Sequence, residues 1–214
     1  KKNKNLHPAL KINVPNSINI LKFEKLPNVL NSNVDILVLG ISSKGIEWVA
    51  EQIYKNYNNS ELPMLLMLTK GLGIYENKYE LLVDKLSRLL RSKGIKKINI
   101  SAIGGPCLAP GLANRVHSSV VIANKDIKVA KKISNLLNTN YYHTEYSDDL
   151  IGVEVCAAIK NIFSMVIGAA SGLNKTKSKE NHYFNTSAAL VKQSIYEMEV
   201  FTEFLKGKKE TVKG

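Results

Sequence analysis

The sequence predicts an α/β fold in which a doubly wound parallel sheet is followed by the start of an all-helical domain. Short apolar runs alternate with segments of helical periodicity as far as Ser147, and this alternation is typical of repeated βαβ units. Beyond Ser147 the runs of strand type stop, and two long helical segments follow. We therefore predict a sheet domain over residues 1–147 and a helical domain over residues 148–214.

The elements of the sheet domain follow from its apolar pattern. Residues 1–30 are polar and contain three prolines, so they predict loops with at best a short strand near Ile18–Leu21. Apolar runs, several of them without polar alternation and so buried on both faces, predict five strands at Asp35–Ile41, Met64–Thr69, Lys97–Ile103, Ser118–Ala123 and Tyr141–Tyr146. Apolar residues at helical spacing predict helices at Ser43–Tyr57, Glu76–Lys93 and Asp126–Leu137.

The helical domain opens with a long apolar stretch, Asp148–Leu173. Its paired aspartates suit a helix N-terminus, where free N–H groups and the macrodipole favour negative charge. After them only Glu154 and Lys160 are charged, so we predict a core helix buried on nearly all sides and not a membrane span. A second helix is predicted at about Asn185–Lys206, after a polar loop at Asn174–Tyr183.

Lys160 lies near the middle of the apolar helix, with Cys156, Ala157 and Ser164 as its neighbours one turn away. An ammonium group in such a place is costly unless it is paired or in use. One interpretation is a lysine whose stem is buried while its head reaches water. The other is a lysine in the wall of a pocket, directed at a carbonyl or a phosphate.

Composition limits the classes of partner. The chain of 214 residues has a formal charge of +12 and a pI near 9.6, but its lysines are scattered. It has neither an arginine-rich stripe nor an aromatic platform, so we predict no nucleic-acid site. Two cysteines without a disulfide pattern suit a reducing compartment, and no signal peptide opens the chain, so we expect a cytoplasmic protein.

Three features follow the predicted strands, and an open parallel sheet binds its ligands beyond the carboxyl ends of its strands. Lys70-Gly71 follows the second strand, residues 104–109 (GGPCLA) follow the third, and Ser42-Ser43 follows the first. No G-x-G-x-x-G turn, P-loop or G-x-S-x-G elbow occurs in the chain, and no Cys or His spacing indicates a metal site.

The order of these pieces resembles the NAD(P)-dependent glycerol-3-phosphate dehydrogenase family. The segment VEVCAAIKN at 153–161 looks like the signature block that opens the helical domain of that family. Lys70-Gly71 matches its strand-end K-G, and GPCLA at 105–109 is similar to its G-P-S-F-A turn. Weaker matches in the same order are SSVVIA at 118–123, YSDDLIG at 146–152 and NTSAAL at 185–190, so the resemblance covers nearly the whole chain.

The resemblance implies a Rossmann-type sheet and an enzyme. The reaction would be hydride transfer between NAD or NADP and C2 of dihydroxyacetone phosphate or sn-glycerol 3-phosphate, a precursor of phospholipids. Lys160 would be the catalytic lysine, and Lys70 would bind both cofactor and substrate. Gly105, Cys107 and Asn161 would bind the small phosphorylated substrate, and Ala109 the cofactor. The resemblance also leaves a homodimer of the intact enzyme open.

The sequence departs from the family pattern as well. The glycine-rich first turn and the later substrate-binding segment with its Asp, Arg and Asn are missing, and Cys107 stands where serine is usual. These departures predict an internal fragment of such an enzyme, with an incomplete Rossmann-type sheet. Two alternatives remain open: a related Rossmann-plus-helical dehydrogenase acting on a 3-hydroxy acid or sugar acid, and a non-catalytic basic protein that binds a polyanion.

Overall fold

A computed structural model of the chain describes residues 6–57, 61–177 and 184–213. Its strands are β1 (Ile36–Leu39), β2 (Met64–Met67), β3 (Leu72–Tyr75), β4 (Lys78–Leu81), β5 (Ile100–Gly104), β6 (Ser118–Ala123) and β7 (Tyr142–Ser147). Its helices are α1 (Leu26–Leu30), α2 (Ile46–Asn56), α3 (Leu82–Ser92), α4 (Ala109–Ala113), α5 (Ile127–Leu137), α6 (Leu150–Lys177) and α7 (Phe184–Phe204). A short 3-10 turn, Lys209–Val212, follows α7.

The five strands of the main sheet lie in the order β1-β2-β5-β6-β7. The predicted α/β fold is confirmed, and three of the four pairings are parallel. The remaining pairing was not anticipated, because β6 runs antiparallel to β5. Residues 105–117 connect these two strands and contain only the five-residue helix α4, which is too short to carry the chain back along the sheet. As a result, β6 begins near the carboxyl end of β5 and runs back in the opposite direction.

Helices cover both faces of this sheet. On one face, α2, α3 and α6 share a core with β1, β2 and β5, and on the other face α5 packs with Ala130 and Ile133. Successive side chains of β2 point to opposite faces of the sheet, so Leu65 and Met67 lie in the first core and Leu66 lies in the second. Because β6 and β7 point the other way, a right-handed crossover between them places α5 opposite α2 and α3.

A β-hairpin occupies the first part of the predicted helix Glu76–Lys93, and that prediction is wrong in this part. β3 and β4 pair antiparallel over Leu72–Leu81, and α3 begins only at Leu82. The turn residues Glu76 and Asn77 have φ of 49° and 59°, as a two-residue hairpin turn of type I′ requires. The short strand predicted near Ile18–Leu21 is also absent, since these residues are irregular in the structure.

Arg88 of α3 fastens the hairpin in place. Its guanidinium donates to both carboxylate oxygens of Glu80 at 2.8 Å and lies 3.8 Å from the centre of the Tyr75 ring. On the far side of the hairpin, the Tyr79 ring meets Phe201 of α7 edge-on at 5.7 Å. The hairpin therefore joins the sheet to the last helix.

The long helix α6 lies across the sheet, but it is not buried on nearly all sides as predicted. Its first half is largely buried, whereas most side chains of residues 161–173 are exposed. Residues 150–173 are long and apolar enough to cross a membrane by length and composition alone, yet the packing of the first half on the sheet is that of a core helix. The predicted loop Asn174–Tyr183 is helical as far as Lys177, and residues 178–183 lie outside the described residues.

Gly104, the last residue of β5, lets α6 approach the sheet closely. A Cβ atom added at this glycine would stand 2.8 Å from Cγ1 of Val153 and 3.9 Å from Cβ of Ala157. Carbon atoms that are not bonded prefer separations of about 3.5–4.0 Å. The absence of a side chain at Gly104 therefore fixes the depth at which α6 sits.

We expect Gly104→Ala to destabilise the protein by about 1–3 kcal/mol, because the added methyl group overpacks the contact with Val153. Shortening the opposing side chain in the double variant Gly104→Ala/Val153→Ala should relieve the overpacking and so restore part of the lost free energy of unfolding. Gly168→Ala is the control, since nothing lies within 4 Å of that position on α6 and alanine is the better helix former. Chemical denaturation of these three variants and of Val153→Ala alone gives their free energies of unfolding, and additive losses in the double variant would contradict the proposed contact.

Candidate active site

A cavity of about 660 Å³ lies between the sheet, α6 and the end of the chain. One wall is formed by residues of β5, β6 and β7, the second by α6, and the third by residues 210–213. Gly104 and Gly105 lie on the sheet side, and Lys160 lies on the helix side. Concave sites of this size, lined by apolar surface with a few polar groups, are typical of small-molecule binding.

Lys160 reaches this cavity because of its position along α6. It lies seven residues after Val153, so it is about 10 Å further along the helix than the contact with Gly104. Its side chain is partly buried, and the neighbouring wall residues Cys156 and Ala157 come from the preceding turn. The structure thus has the cavity-wall geometry of the second interpretation given above for this lysine.

Lys70 approaches the same place from the end of β2. Thr69 before it donates its hydroxyl to the carbonyl of Ile41 at 2.8 Å, which ties the end of β2 to the end of β1. The exposed ammonium of Lys70 then lies 3.4 Å from the carbonyl oxygen of Gly105. Gly105 lines the cavity that Lys160 also lines, whereas Lys70 lies beside this glycine and is not itself among the lining residues.

Gly105 has a conformation and a neighbour that only glycine tolerates. Its φ is +136°, and a Cβ atom there would stand 2.7 Å from the carbonyl oxygen of Ser119. This close approach of β6 follows from the reversal between β5 and β6. The carbonyl of Gly105 also accepts a hydrogen bond from the N–H of Cys107 at 3.1 Å, which makes a tight turn.

The other predicted site residues lie further out. Cys107 is half-buried next to Tyr142, and burial together with this thiol raises the pKa of the tyrosine. Ala109 is the exposed first residue of α4, and Asn161 is exposed on α6. None of these three is among the residues that line the cavity.

Asp149 connects the start of α6 to the third wall, and only its role as a helix cap was predicted from the sequence. Its Oδ1 accepts from the N–H of Gly152 at 2.9 Å, which is the helix cap that the paired aspartates predict. Its Oδ2 accepts from the N–H of Lys208 at 2.9 Å and from the hydroxyl of Thr211 at 2.5 Å. The latter partners are about 60 residues away along the chain, and no local pattern indicates them.

Two residues that line the cavity, Cys156 and Lys213, make contacts with α7. The Cys156 thiol lies 3.8 Å from the hydroxyl of Thr202, and burial raises its pKa, so it stays neutral near pH 7. Lys213 pairs with Glu199 at 2.7 Å. Among the described residues no group of three or more His, Cys, Asp or Glu side chains could hold a metal ion.

Glu154 is a buried charged residue that the sequence analysis noted but did not assign. Its side chain is only 5 % exposed, and burial raises the pKa of its carboxyl to about 8. The backbone N–H groups of Val83 and Leu82 act in the opposite direction, while the carboxylate of Asp84 adds to the rise. The signal in the sequence was a second charge on an otherwise apolar helix.

Comparison with known proteins gives the same family for both halves of the chain. The family model for the N-terminus of NAD-dependent glycerol-3-phosphate dehydrogenase matches residues 1–130, and the model for its C-terminus matches residues 149–214. The chain is 27% identical over 208 residues to an NADP(+)-dependent glycerol-3-phosphate dehydrogenase of Archaeoglobus fulgidus, covering 97% of this chain and 59% of the relative. It is 30% identical over 170 residues to the glycerol-3-phosphate dehydrogenase [NAD(P)+] of Limosilactobacillus fermentum, covering 78% and 47%.

Solved structures agree on the fold. The glycerol-3-phosphate dehydrogenase of Coxiella burnetii superposes with a TM-score of 0.69 at 24% identity, over 88% of this chain and 53% of that one. The enzyme of Saccharomyces cerevisiae superposes with a TM-score of 0.70 at 22% identity, over 87% and 51%. The chain therefore spans about half the length of the relatives that it matches.

We expect Asp149→Ala to cost about 3 kcal/mol, because it leaves one buried and one part-buried N–H group and a hydroxyl without their acceptor. Asp148→Ala is the matched control, since this exposed neighbour only pairs with Lys208 at 2.7 Å, and its melting temperature should stay near that of the parent. Thermal melts of both variants decide the point. Equal losses in the two would show that Asp149 does not hold the third wall.

The buried carboxyl of Glu154 predicts a pH dependence of stability. Its pKa is about 8 in the folded chain and 4.5 when unperturbed, so its contribution to stability is greatest below pH 4.5 and is lost as the pH rises to 8. Glutamine does not titrate, so the melting temperature of Glu154→Gln relative to the parent should rise between pH 5 and pH 8.5. In the control Glu47→Gln, whose lysine partner lowers the carboxyl pKa, the difference should be flat over this range. A flat difference for Glu154→Gln as well would contradict the assignment.

Proposed function

Because the chain belongs to the NAD-dependent glycerol-3-phosphate dehydrogenase family, we propose that it acts in hydride transfer between NADH or NADPH and dihydroxyacetone phosphate, with sn-glycerol 3-phosphate as the reduced product. The single observation that carries the proposal is the convergence of two lysines on one glycine turn. Lys70 contacts the carbonyl of Gly105, and Lys160 lines the cavity to which Gly105 belongs. One cation in the cavity wall and a second beside the Gly105 turn suit a phosphorylated substrate whose carbonyl gains negative charge during reduction.

Lys160 is proposed as the general acid. In reduction, C2 of dihydroxyacetone phosphate receives a hydride and its oxygen becomes an alkoxide, which needs one proton. The ammonium of Lys160 donates that proton, and the neutral amine takes it back in the reverse reaction. Its partly buried position beside Cys156 and Ala157 keeps water away from the developing charge, which strengthens the stabilisation.

Lys70 is proposed to bind the anionic end of the substrate and the cofactor. Its ammonium is exposed, and its contact with the Gly105 carbonyl is long, at 3.4 Å. A phosphate group can therefore replace that carbonyl as the partner of the ammonium. Gly105, Cys107 and Asn161 are proposed to bind substrate. Ala109 is small and exposed at the start of α4, which leaves room for the cofactor alongside. When bound, NAD or NADP supplies the hydride acceptor or donor.

The proposal gives the protein a place in the supply of the glycerol backbone of phospholipids. We also propose a cytoplasmic location. The family resemblance is compatible with a homodimer of the intact enzyme. A salt-dependent polyanion-binding role is not favoured by any observed feature, since the lysines near the cavity face a small concave site and not an extended groove.

Lys160→Met is expected to lower kcat by ~10²- to 10⁴-fold, because methionine keeps the apolar stem but removes the proton donor. The KM for NADH or NADPH should change little, and the melting temperature should stay near that of the parent. Steady-state kinetics with dihydroxyacetone phosphate and thermal melts provide the readouts. Turnover near the parent rate with an unchanged melting temperature would remove Lys160 from the catalytic role.

Lys70→Met separates binding from chemistry. It should raise the KM for dihydroxyacetone phosphate and for the cofactor together, since the same ammonium is proposed to bind both the substrate and the cofactor. Lys44→Met is a control, because this exposed lysine is in the 3-10 turn before α2, whereas Lys70 approaches the carbonyl of Gly105. Equal kinetics for Lys70→Met and Lys44→Met would contradict the binding role of Lys70.

A further inference from the structure

Glu145 of β7 projects to the side of the sheet on which the cavity lies. Gly104 of β5 is paired with Val121 of β6, and Val121 is paired with Glu145, so the three residues form one row across the sheet. Residues directly opposite one another on neighbouring strands point to the same face. The Gly104 position faces α6, because a Cβ atom there would meet Val153 of that helix. The Glu145 side chain therefore points to the face that α6 covers.

The residues on either side of Glu145 point the other way, towards α5. The hydroxyl of Thr144 donates to the carbonyl of Ser134 on α5 at 2.8 Å. The ammonium of Lys131, also on α5, lies 5.7 Å from the centre of the Tyr146 ring. Because side chains alternate along a strand, Glu145 must lie on the opposite face, and it is accordingly one of the residues that line the cavity.

The Glu145 carboxylate is exposed and has no partner in the described ranges 6–57, 61–177 and 184–213, since it forms neither a hydrogen bond nor an ion pair with any residue there. Lys160, in the α6 wall of the same cavity, is likewise in no ion pair within these ranges. One acceptor and one cation thus line the cavity without neutralising each other by direct contact.

A carboxylate at this place restricts which part of a substrate can lie beside it. An ionised carboxylate only accepts hydrogen bonds, and its bond from a hydroxyl group is short and about twice as strong as a bond between neutral groups. A phosphate or a second carboxylate beside it would be repelled and would offer it no proton. The part of a substrate that meets Glu145 is therefore an uncharged hydroxyl group.

Dihydroxyacetone phosphate and sn-glycerol 3-phosphate both carry such a terminal hydroxyl group, on the end carbon remote from the phosphate. The proposed function places the phosphate near Lys70, which contacts Gly105 at the end of β5. Glu145 is two strands away, roughly 10 Å, because neighbouring strands lie about 4.8 Å apart. The terminal hydroxyl group and the phosphate can thus lie at opposite sides of the cavity, with C2 between them.

We propose that Glu145 binds the terminal hydroxyl group of the substrate and so determines specificity for a polyol phosphate over a hydroxy acid. The identity of the substrate rests on the proposed function. The assignment adds the orientation of the substrate in the cavity, with its phosphate towards Lys70, its C2 oxygen towards Lys160 and its terminal hydroxyl group on Glu145.

Equilibrium binding tests this role without requiring turnover. The probes are sn-glycerol 3-phosphate and propane-1,2-diol 1-phosphate of the same configuration, which lacks only the terminal hydroxyl group, and isothermal titration calorimetry measures their affinities for the chain. Glu145→Leu should weaken the binding of sn-glycerol 3-phosphate about 10- to 100-fold, because a hydrogen bond to a charged group is lost. The affinity for propane-1,2-diol 1-phosphate should change little.

A second variant and a control accompany this measurement. Glu145→Gln keeps an acceptor oxygen without the charge, so it should lose less affinity for sn-glycerol 3-phosphate than Glu145→Leu, and it replaces that variant if leucine prevents folding. The parent should bind 3-phosphoglycerate, which has a carboxylate at the same end, at least about 10-fold more weakly than sn-glycerol 3-phosphate. The control Glu24→Leu, at an exposed position of the 3-10 turn Phe23–Lys25, should change none of these affinities.

The outcomes distinguish this role from the proposed function. Equal affinity of the parent for sn-glycerol 3-phosphate and propane-1,2-diol 1-phosphate, or equal losses for both in the Glu145 variants, would overturn the role of Glu145. Binding of neither probe, or tighter binding of 3-phosphoglycerate, would overturn it too. If the parent nevertheless reduces dihydroxyacetone phosphate, the proposed function stands. If the selective loss is found but the parent reduces no dihydroxyacetone phosphate, the proposed function fails and the role of Glu145 in binding stands.

Discussion

The close contact between α6 and the end of β5 is the constraint on which the rest of the site depends. Gly104 has no side chain, so Val153 sits where a Cβ atom would otherwise be. That contact fixes both the depth of α6 on the sheet and the position of its later turns. Lys160 then reaches the cavity beyond the strand end, where the Gly105 turn also receives Lys70. A larger residue at Gly104 would move every group on the helix side of the cavity.

Local patterns in the sequence predicted most of the sheet, because buried strands and amphipathic helices have their own periodicities. Strand β6 has the predicted ends, Ser118 and Ala123, and α5 ends at the predicted Leu137. The hairpin was missed because the leucine spacing of α3 was extended backwards over a turn that only positive φ angles reveal. The antiparallel pairing of β5 with β6 was missed because apolar content does not encode strand direction.

In the candidate site, too, local features could be predicted from the sequence and contacts between distant segments could not. Lys160 and the glycine turn could be singled out from the sequence, since an isolated charge and a glycine pair are visible locally. The contacts of Asp149 with Lys208 and Thr211 could not, because they join segments about 60 residues apart along the chain. These distant contacts hold the walls, so tertiary structure and not sequence pattern shows how the predicted lysine is held.

The proposed function requires Lys70 and Lys160 to face one binding site for a phosphorylated three-carbon substrate. Competitive lysine acetylation followed by mass spectrometry tests this most directly, because the lysines remote from the cavity serve as internal controls. With dihydroxyacetone phosphate present, the acetylation of Lys70 and Lys160 should slow together, while that of the remote lysines is unchanged. Lys213, which also lines the cavity, is not used as a control, and glycerol at the same concentration should protect neither Lys70 nor Lys160. Protection of neither lysine, or equal protection of all lysines, would contradict the account.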